Sequence, residues 1–331
     1  MKIGFFEVEK WAETLIKDHF PDADIYPEKL LPENAKNYKN LEVISPFIYS
    51  SLNKSTLLQL PNIKLISTRS TGFDHIDIDY CKQRGIKVSN VPTYGERTVA
   101  EHTFGLILTL TRKLYSSIER TKKGDFTNAG LRGVDVLGKT IGIIGLGHIG
   151  LEVMKIARGF EMNILIYTHT KHRELEEQYG FKYCELDFLL SRADVISLHL
   201  PLTKATRHII NKENIVKMKK GSFLVNTSRG GLIEVEALLV ALEKEILEGV
   251  GLDVLEEERV LREEAELLSS EFRKRVNYEN LAYNHILAKH PKVIITPHNA
   301  FNSKEALERI LLTTIFNINS YLKDAPQNII A

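Results

Sequence analysis

Residues 140–150 read Thr140-Ile141-Gly142-Ile143-Ile144-Gly145-Leu146-Gly147-His148-Ile149-Gly150: an apolar run, three glycines spaced Gly-x-Gly-x-x-Gly, then an amphipathic stretch to Phe160. A glycine triplet alone is weak evidence. Set between a buried strand and a helix, it is the fingerprint of a dinucleotide-binding turn. Gly145 permits the tight turn, Gly147 lets a pyrophosphate approach the backbone, and Gly150 lets the helix pack closely on the strand. Phosphate oxygens would accept from the first amides of the helix, at the positive end of its dipole. Two other readings stand beside this one: a glycine turn that only packs, and a site for a nucleotide-like methyl donor.

The rhythm around the turn predicts an α/β chain. Strands are expected at Lys2–Val8, Leu41–Pro46, Ile63–Thr68 and Ile86–Ser89, with helices at Trp11–Phe20, Lys54–Leu60 and Ile76–Arg84, the last stopped by Gly85. A long helix from Thr98 to Lys122, apolar nearly all round in its middle, suggests burial on several sides, as a linking or subunit-contacting helix. A second series follows, with strands at Thr140–Gly145, Ile164–Tyr167, Val195–Leu198, Ser222–Asn226, Gly249–Asp253 and Val293–Thr296. Its helices are expected at His148–Phe160, Arg173–Tyr179, Lys212–Lys219 and Val235–Glu245, and Ser303–Leu322 forms a last amphipathic helix. Alternating strands and helices imply parallel pairing through crossovers. The stretch Glu256–Tyr283, acidic and then mixed in charge, breaks the rhythm and reads as a helical surface insertion.

A length of 331 residues suits about two domains. With 44 Lys+Arg against 43 Asp+Glu the net charge is +1, which argues against a dedicated nucleic-acid binder. Cys81 and Cys184 show no ligand-pair spacing, so no metal is expected and a reducing, cytoplasmic setting is. Cys81 reads as a small buried hydrophobe. No signal peptide and no apolar run of about 18 residues is apparent, so no membrane span is expected.

Polar groups close several of the predicted strands, where ligands bind in open α/β sheets. The second strand of the nucleotide series ends at Thr168, where an acidic residue would bond the ribose hydroxyls; Lys171, His172 and Arg173 follow. NAD is expected, with NADP left open. Arg229 follows the strand Phe223–Asn226 and precedes two glycines, an unfavourable place for a merely solvated arginine. Asp253 ends one strand and His298 another, after Pro297. Among eleven histidines, His172, His285 and His290 read as surface residues.

In this order, Gly145–Gly150, His199-Leu200-Pro201-Leu202-Thr203, Asn226-Thr227-Ser228-Arg229-Gly230-Gly231, Gly251-Leu252-Asp253-Val254 and Thr296-Pro297-His298 resemble the D-isomer-specific 2-hydroxyacid dehydrogenase family over essentially the full length. The resemblance implies a Rossmann coenzyme-binding domain, residues 98–300, inserted in a flavodoxin-like substrate domain, residues 1–97 and 301–331. It also implies a homodimer formed through the helix starting near Thr98, which carries Val99-Ala100-Glu101-His102. Pro92-Thr93-Tyr94, the insertion between Glu258 and Val293, and Phe301 three residues after His298 look most like the D-lactate dehydrogenase branch.

Roles follow from the resemblance. Reducing a 2-oxo acid puts hydride on carbon and a proton on oxygen. Histidine as a residue type titrates near neutral pH, so His298 would be the general acid. Glu258, five residues after Asp253, would pair with it and favour its protonated form; the neighbouring Glu256 and Glu257 belong to an acidic run of the kind that is usually solvated. Arg229 would present its fork of donors to the carboxylate and ketone. The amides of Thr71 and Gly72 would grip the carboxylate, with Tyr94 and Phe301 lining the substrate. The cofactor would be held by Gly145, Gly147, His148, Ile149, Gly150, Thr168, Pro201, Thr227, Arg229 and His298, with Asp253 on the nicotinamide carboxamide. Domain closure is expected to expel water. Two alternatives are a reductase of glyoxylate, hydroxypyruvate or bulkier 2-oxo acids, and a dinucleotide-sensing corepressor-like binding protein.

Overall fold

Strand formation in the first third follows from short runs that bury apolar side chains: Ile3 and Phe5, Val43 and Ile44, Leu65 and Ile66, and Val88. A computed structural model describes residues 1–256 and 277–331. The chain forms two compact units, residues 1–94 with 303–331 and residues 95–302.

In the first unit, β1 (Ile3–Phe5), β2 (Asp24–Ile25), β3 (Val43–Ser45), β4 (Leu65–Ser67) and β5 (Lys87–Ser89) form a parallel sheet in the order β2-β1-β3-β4-β5. This is the flavodoxin-like order. The period-two alternation of strands divides its core. Ile44 and Ile66 face Leu57 and Leu60, while Val43 and Leu65 face Phe5, Ile16, Ile315 and Ile318. The last two belong to the C-terminal helix Lys304–Leu322, capped by Ser303, whose hydroxyl accepts from the Ala306 amide at 3.2 Å. After α1 (Lys10–His19) and α2 (Lys54–Leu58), the helix α3 (Ile78–Arg84) ends on Gly85 in the left-handed region at φ 67°.

In the second unit, β6 (Thr140–Ile144), β7 (Asn163–Tyr167), β8 (Lys182–Tyr183), β9 (Val195–Leu198), β10 (Ser222–Asn226), β11 (Leu247–Leu252) and β12 (Val293–Ile295) form a parallel sheet in the order β12-β11-β10-β9-β6-β7-β8. The chain steps outward from β6 to β8, then returns to the other side of β6. This is a Rossmann sheet with one added strand, and its switch point lies between β6 and β9. Helices α4 (Glu96–Thr111) and α6 (His148–Gly159) cover one face through Phe104, Ile107, Val153 and Met154. Among the described residues no helix is long and apolar enough to cross a membrane.

Three expectations are corrected. The long helix Thr98–Lys122 is two helices, α4 and α5 (Leu114–Lys122), broken at Lys113 with φ 52°. The Thr111 carbonyl accepts from the Val134 amide at 2.8 Å, so a distant segment takes over where the helix would continue. Only α4 is buried; α5 buries no residue and exposes Leu114, Tyr115 and Ile118. The helix expected to Lys219 stops at Ile215. Finally, Glu256 is no surface residue: only 6% exposed, it accepts from Arg207 Nη2 at 2.5 Å and lies 3.0 Å from His208 Nε2. Part of the expected insertion is the helix Tyr278–Lys289, whose Leu287 joins the core. Glu257, Glu258 and the rest of the insertion to residue 276 lie outside the described residues.

Candidate active site

The glycine turn leaves β6 at its carboxyl end. Gly145 has φ 102°, and a Cβ there would come within 2.5 Å of the His199 carbonyl oxygen. A Cβ on Gly150 would meet the Gly145 carbonyl oxygen at 2.1 Å. Both contacts are with backbone, which cannot swing aside. Gly147, the N-cap of α6, differs: nothing lies within 4 Å of a Cβ built there. The turn thus has two glycines that let the protein close on itself and one facing open space before the helix amides, which fits a pyrophosphate.

His199 lies beneath this turn. Its Nε2 is 2.8 Å from Ser197 Oγ, and burial pushes its pKa down to about 3, so the ring is neutral. Pro201 follows at the surface and accepts from Thr206 Oγ1 at 2.6 Å. At the end of β7, Thr168 is half-buried and no acidic residue occurs between Tyr167 and Arg173. The following turn is pinned by the Tyr183 hydroxyl, which accepts from the His172 amide at 3.0 Å.

The adjacent strands β10, β11 and β12 bring the other candidates of this unit together. Asn226, buried at the end of β10, shapes the arginine loop: its Nδ2 donates to the Arg229 carbonyl at 2.9 Å and its Oδ1 accepts from the Ser228 amide at 3.0 Å. Thr227 is buried, its hydroxyl 2.9 Å from that of Thr103 on α4. Arg229 is half-buried, and its Nη1 donates to the Ser228 carbonyl at 2.8 Å.

His298 stands after β12 with φ 52°, a left-handed conformation uncommon outside glycine. Its amide donates to the carbonyls of Asp253 and Thr296, both at 2.9 Å. Asp253, the residue after β11, is 1% exposed. Its Oδ1 accepts from the Asn299 amide at 2.8 Å and from the Thr296 hydroxyl, and its Oδ2 from the Ala300 amide at 2.8 Å. His102 on α4 places Nε2 3.4 Å from Asp253 Oδ1 and 3.1 Å from Thr296 Oγ1. Burial alone would raise the Asp253 carboxyl pKa; bonds from His102, Thr296, Asn299 and Ala300 outweigh it and hold it below the usual carboxylate range. An ionised carboxylate therefore folds residues 296–300 around itself and presents the His298 ring, 6.3 Å from the Phe301 ring at 75°. The motifs containing His102 and Thr296 were visible in sequence, but neither residue suggested this contact.

In the first unit, Thr71 and Gly72 follow β4. Among the described residues no acceptor takes the amide of either. The loop is held from beneath: Thr71 Oγ1 donates to the Val91 carbonyl and Ser70 Oγ to the Gly72 carbonyl, both at 2.6 Å. Tyr94 follows β5 and its carbonyl accepts from Arg309 Nε at 2.6 Å.

Residues 104–300 match the family model described as D-isomer specific 2-hydroxyacid dehydrogenase, NAD binding domain. The chain belongs to the D-isomer-specific 2-hydroxyacid dehydrogenase family. It is an NAD-dependent member of that family, with the NAD-binding domain in the second unit. It is 35% identical to a 2-hydroxyacid dehydrogenase homolog of Haemophilus influenzae over 96% of this chain and 95% of that one. It is also 35% identical to D-lactate dehydrogenase of Escherichia coli over 98% and 97% of the two chains. Among solved structures, D-lactate dehydrogenase of Aquifex aeolicus complexed with NAD and lactic acid superposes with a TM-score of 0.86 at 36% identity, covering 99% of each chain. Dinucleotide sites that bond the ribose hydroxyls through an acidic residue differ from this chain at Thr168.

Proposed function

We propose that this dehydrogenase reduces pyruvate to D-lactate with NADH in the cytoplasm. The observation that carries the reading is the Asp253-held turn, which fixes a histidine in left-handed backbone at the carboxyl edge of the sheet, one strand from the Asp253 terminus and two from Arg229. Full-length similarity to proteins named D-lactate dehydrogenase supports the choice of substrate.

When bound, the dinucleotide supplies a hydride to the ketone carbon. The glycine turn and the α6 amides hold its pyrophosphate, with Thr168 at the ribose and Pro201 and Thr227 alongside. His298 gives its proton to the ketone oxygen as the C–O bond becomes a hydroxyl, and takes it back in the reverse direction. Arg229 fixes substrate oxygens with a planar fork of donors and stabilises the charge developing on the carbonyl. Thr71 and Gly72 receive the carboxylate, and Tyr94 and Phe301 shape the space for the methyl group. Glu258, outside the described residues, is proposed as the acidic partner of His298. Asp253 positions His298 and takes the nicotinamide carboxamide.

The enzyme is a homodimer in this reading. Leu114, Tyr115 and Ile118 on α5 and Phe126 beyond it are 43%, 59%, 54% and 82% exposed, apolar side chains suited to contact with a second copy. Sedimentation at twice the chain mass checks this, and a monomer would contradict it. A panel of pyruvate, glyoxylate, hydroxypyruvate and bulkier 2-oxo acids with NADH and NADPH tests the activity. Pyruvate is expected to give the highest kcat/KM and a D-product; a preference for another acid overturns the substrate, and turnover of none favours a binding role.

A further inference from the structure

The helix Lys304–Leu322 buries a carboxamide on its apolar face. Asn317 lies among Thr314, Ile315 and Ile318 and is 1% exposed. A buried amide is costly unless both its ends are bonded. Asn317 Nδ2 donates to the Asn90 carbonyl at 2.8 Å, and its Oδ1 accepts from Asn328 Nδ2 at 2.7 Å. Asn90, 8% exposed, carries the series on: its Nδ2 donates to the Thr71 carbonyl at 2.8 Å. Asn328 has φ 52° and starts a tail that pairs with β5, where Ile330 N donates to the Val88 carbonyl at 2.8 Å. Three asparagines in series thus join helix and tail to one carbonyl.

That carbonyl shares a rigid peptide plane with the Gly72 amide, so holding the oxygen fixes the direction of the N–H. The plane before it is held likewise, because the Ser70 carbonyl accepts from the Val91 amide at 3.0 Å and so orients the Thr71 N–H. Both amides of the pair are therefore aimed by residues 90–91, and Asn317 holds Asn90.

We infer that Asn317 is a positioning residue for the carboxylate subsite, aiming the Gly72 amide at the 2-oxo acid through Asn90. The inference rests on the reading that the Thr71 and Gly72 amides receive the substrate carboxylate. In Asn317→Leu, which keeps the side chain's size and removes both bonds, KM for pyruvate rises about tenfold, the effect of one charge-assisted hydrogen bond. The values of kcat and of NADH Kd, read by fluorescence quenching, change less than about twofold, because only substrate binding weakens. Asn90→Ala raises KM as well, and the double variant is no worse than Asn90→Ala alone, since both act through one carbonyl. Asn328→Ala, at the outer end of the series, serves if Asn317→Leu does not fold, and raises KM about two- to threefold by the same reasoning. An unchanged KM in folded Asn317→Leu overturns the inference, as do additive effects with Asn90→Ala or parallel losses in kcat and NADH binding. Gly72→Pro, which removes the amide itself, separates the two layers. If it raises KM where Asn317→Leu does not, only the role of Asn317 fails; if it leaves KM unchanged, the carboxylate reading fails.

Discussion

His298 occupies a backbone conformation that costs free energy outside glycine, and the structure shows what holds it there. The Asp253 carboxylate takes two amides and the Thr296 hydroxyl from the same five-residue turn. A buried ionised group gathers donors because leaving any lone pair unmet in low dielectric is expensive. Thr168 illustrates the opposite case, a position defined by a missing charge. With no carboxylate at the end of β7, a 2′-phosphate meets no repulsion, so kcat/KM with NADH and NADPH is expected to differ by less than about tenfold, under ~1.4 kcal/mol. Thr168→Asp should widen the gap in favour of NADH by adding like-charge repulsion against NADPH. An unchanged ratio would show that Thr168 does not face the ribose.

At the scale of the element, the glycine turn separates two jobs that one motif usually hides. Ala at position 150 drives a methyl group into the Gly145 carbonyl at 2.1 Å and should cost about 1–3 kcal/mol of stability, read as a lowered Tm. Ala at position 147 meets open space at φ −79° and should leave Tm nearly unchanged while weakening NADH binding. Equal loss of stability in both variants would remove the distinction. This turn, the buried strands and the Gly85 stop were legible because each rests on neighbouring residues alone. The strands β2 and β8, two residues each, are too short for any period to register. The break at Lys113 depends on an amide from Val134, and the burial of Glu256 on Arg207 and His208, some fifty residues away. In the site, Arg229, Asp253 and His298 stood out as polar residues ending apolar strands. The partners His102, Thr296, Asn90 and Asn317 did not, since their contacts reach across the chain.

At the scale of the whole molecule, each unit is a parallel sheet covered on both faces, and each holds a histidine that ionises poorly, buried in the second unit and half-buried in the first. Burial pushes His199 down to about 3 and His75 to about 4. Unfolded, both rings return to about 6.5 and take up protons more readily than the native state. The stability they contribute is complete above about pH 6.5 and is lost as pH falls toward their native values. The Tm should therefore decline between about pH 6.5 and 5, before most carboxylates titrate, and His199→Gln should flatten the slope; a Tm that rises with acid would contradict this. The central claim, that the Asp253-held turn presents His298 as the proton donor to a 2-oxo acid, is tested most directly by steady-state reduction of pyruvate by NADH with the wild type and His298→Asn. Asparagine tolerates the left-handed backbone but cannot donate a proton at neutral pH. The expected result is D-lactate from the wild type and a kcat lower by about 10²–10⁴-fold in the variant. Turnover of the variant within a few-fold of wild type, or an L-product, would contradict the account.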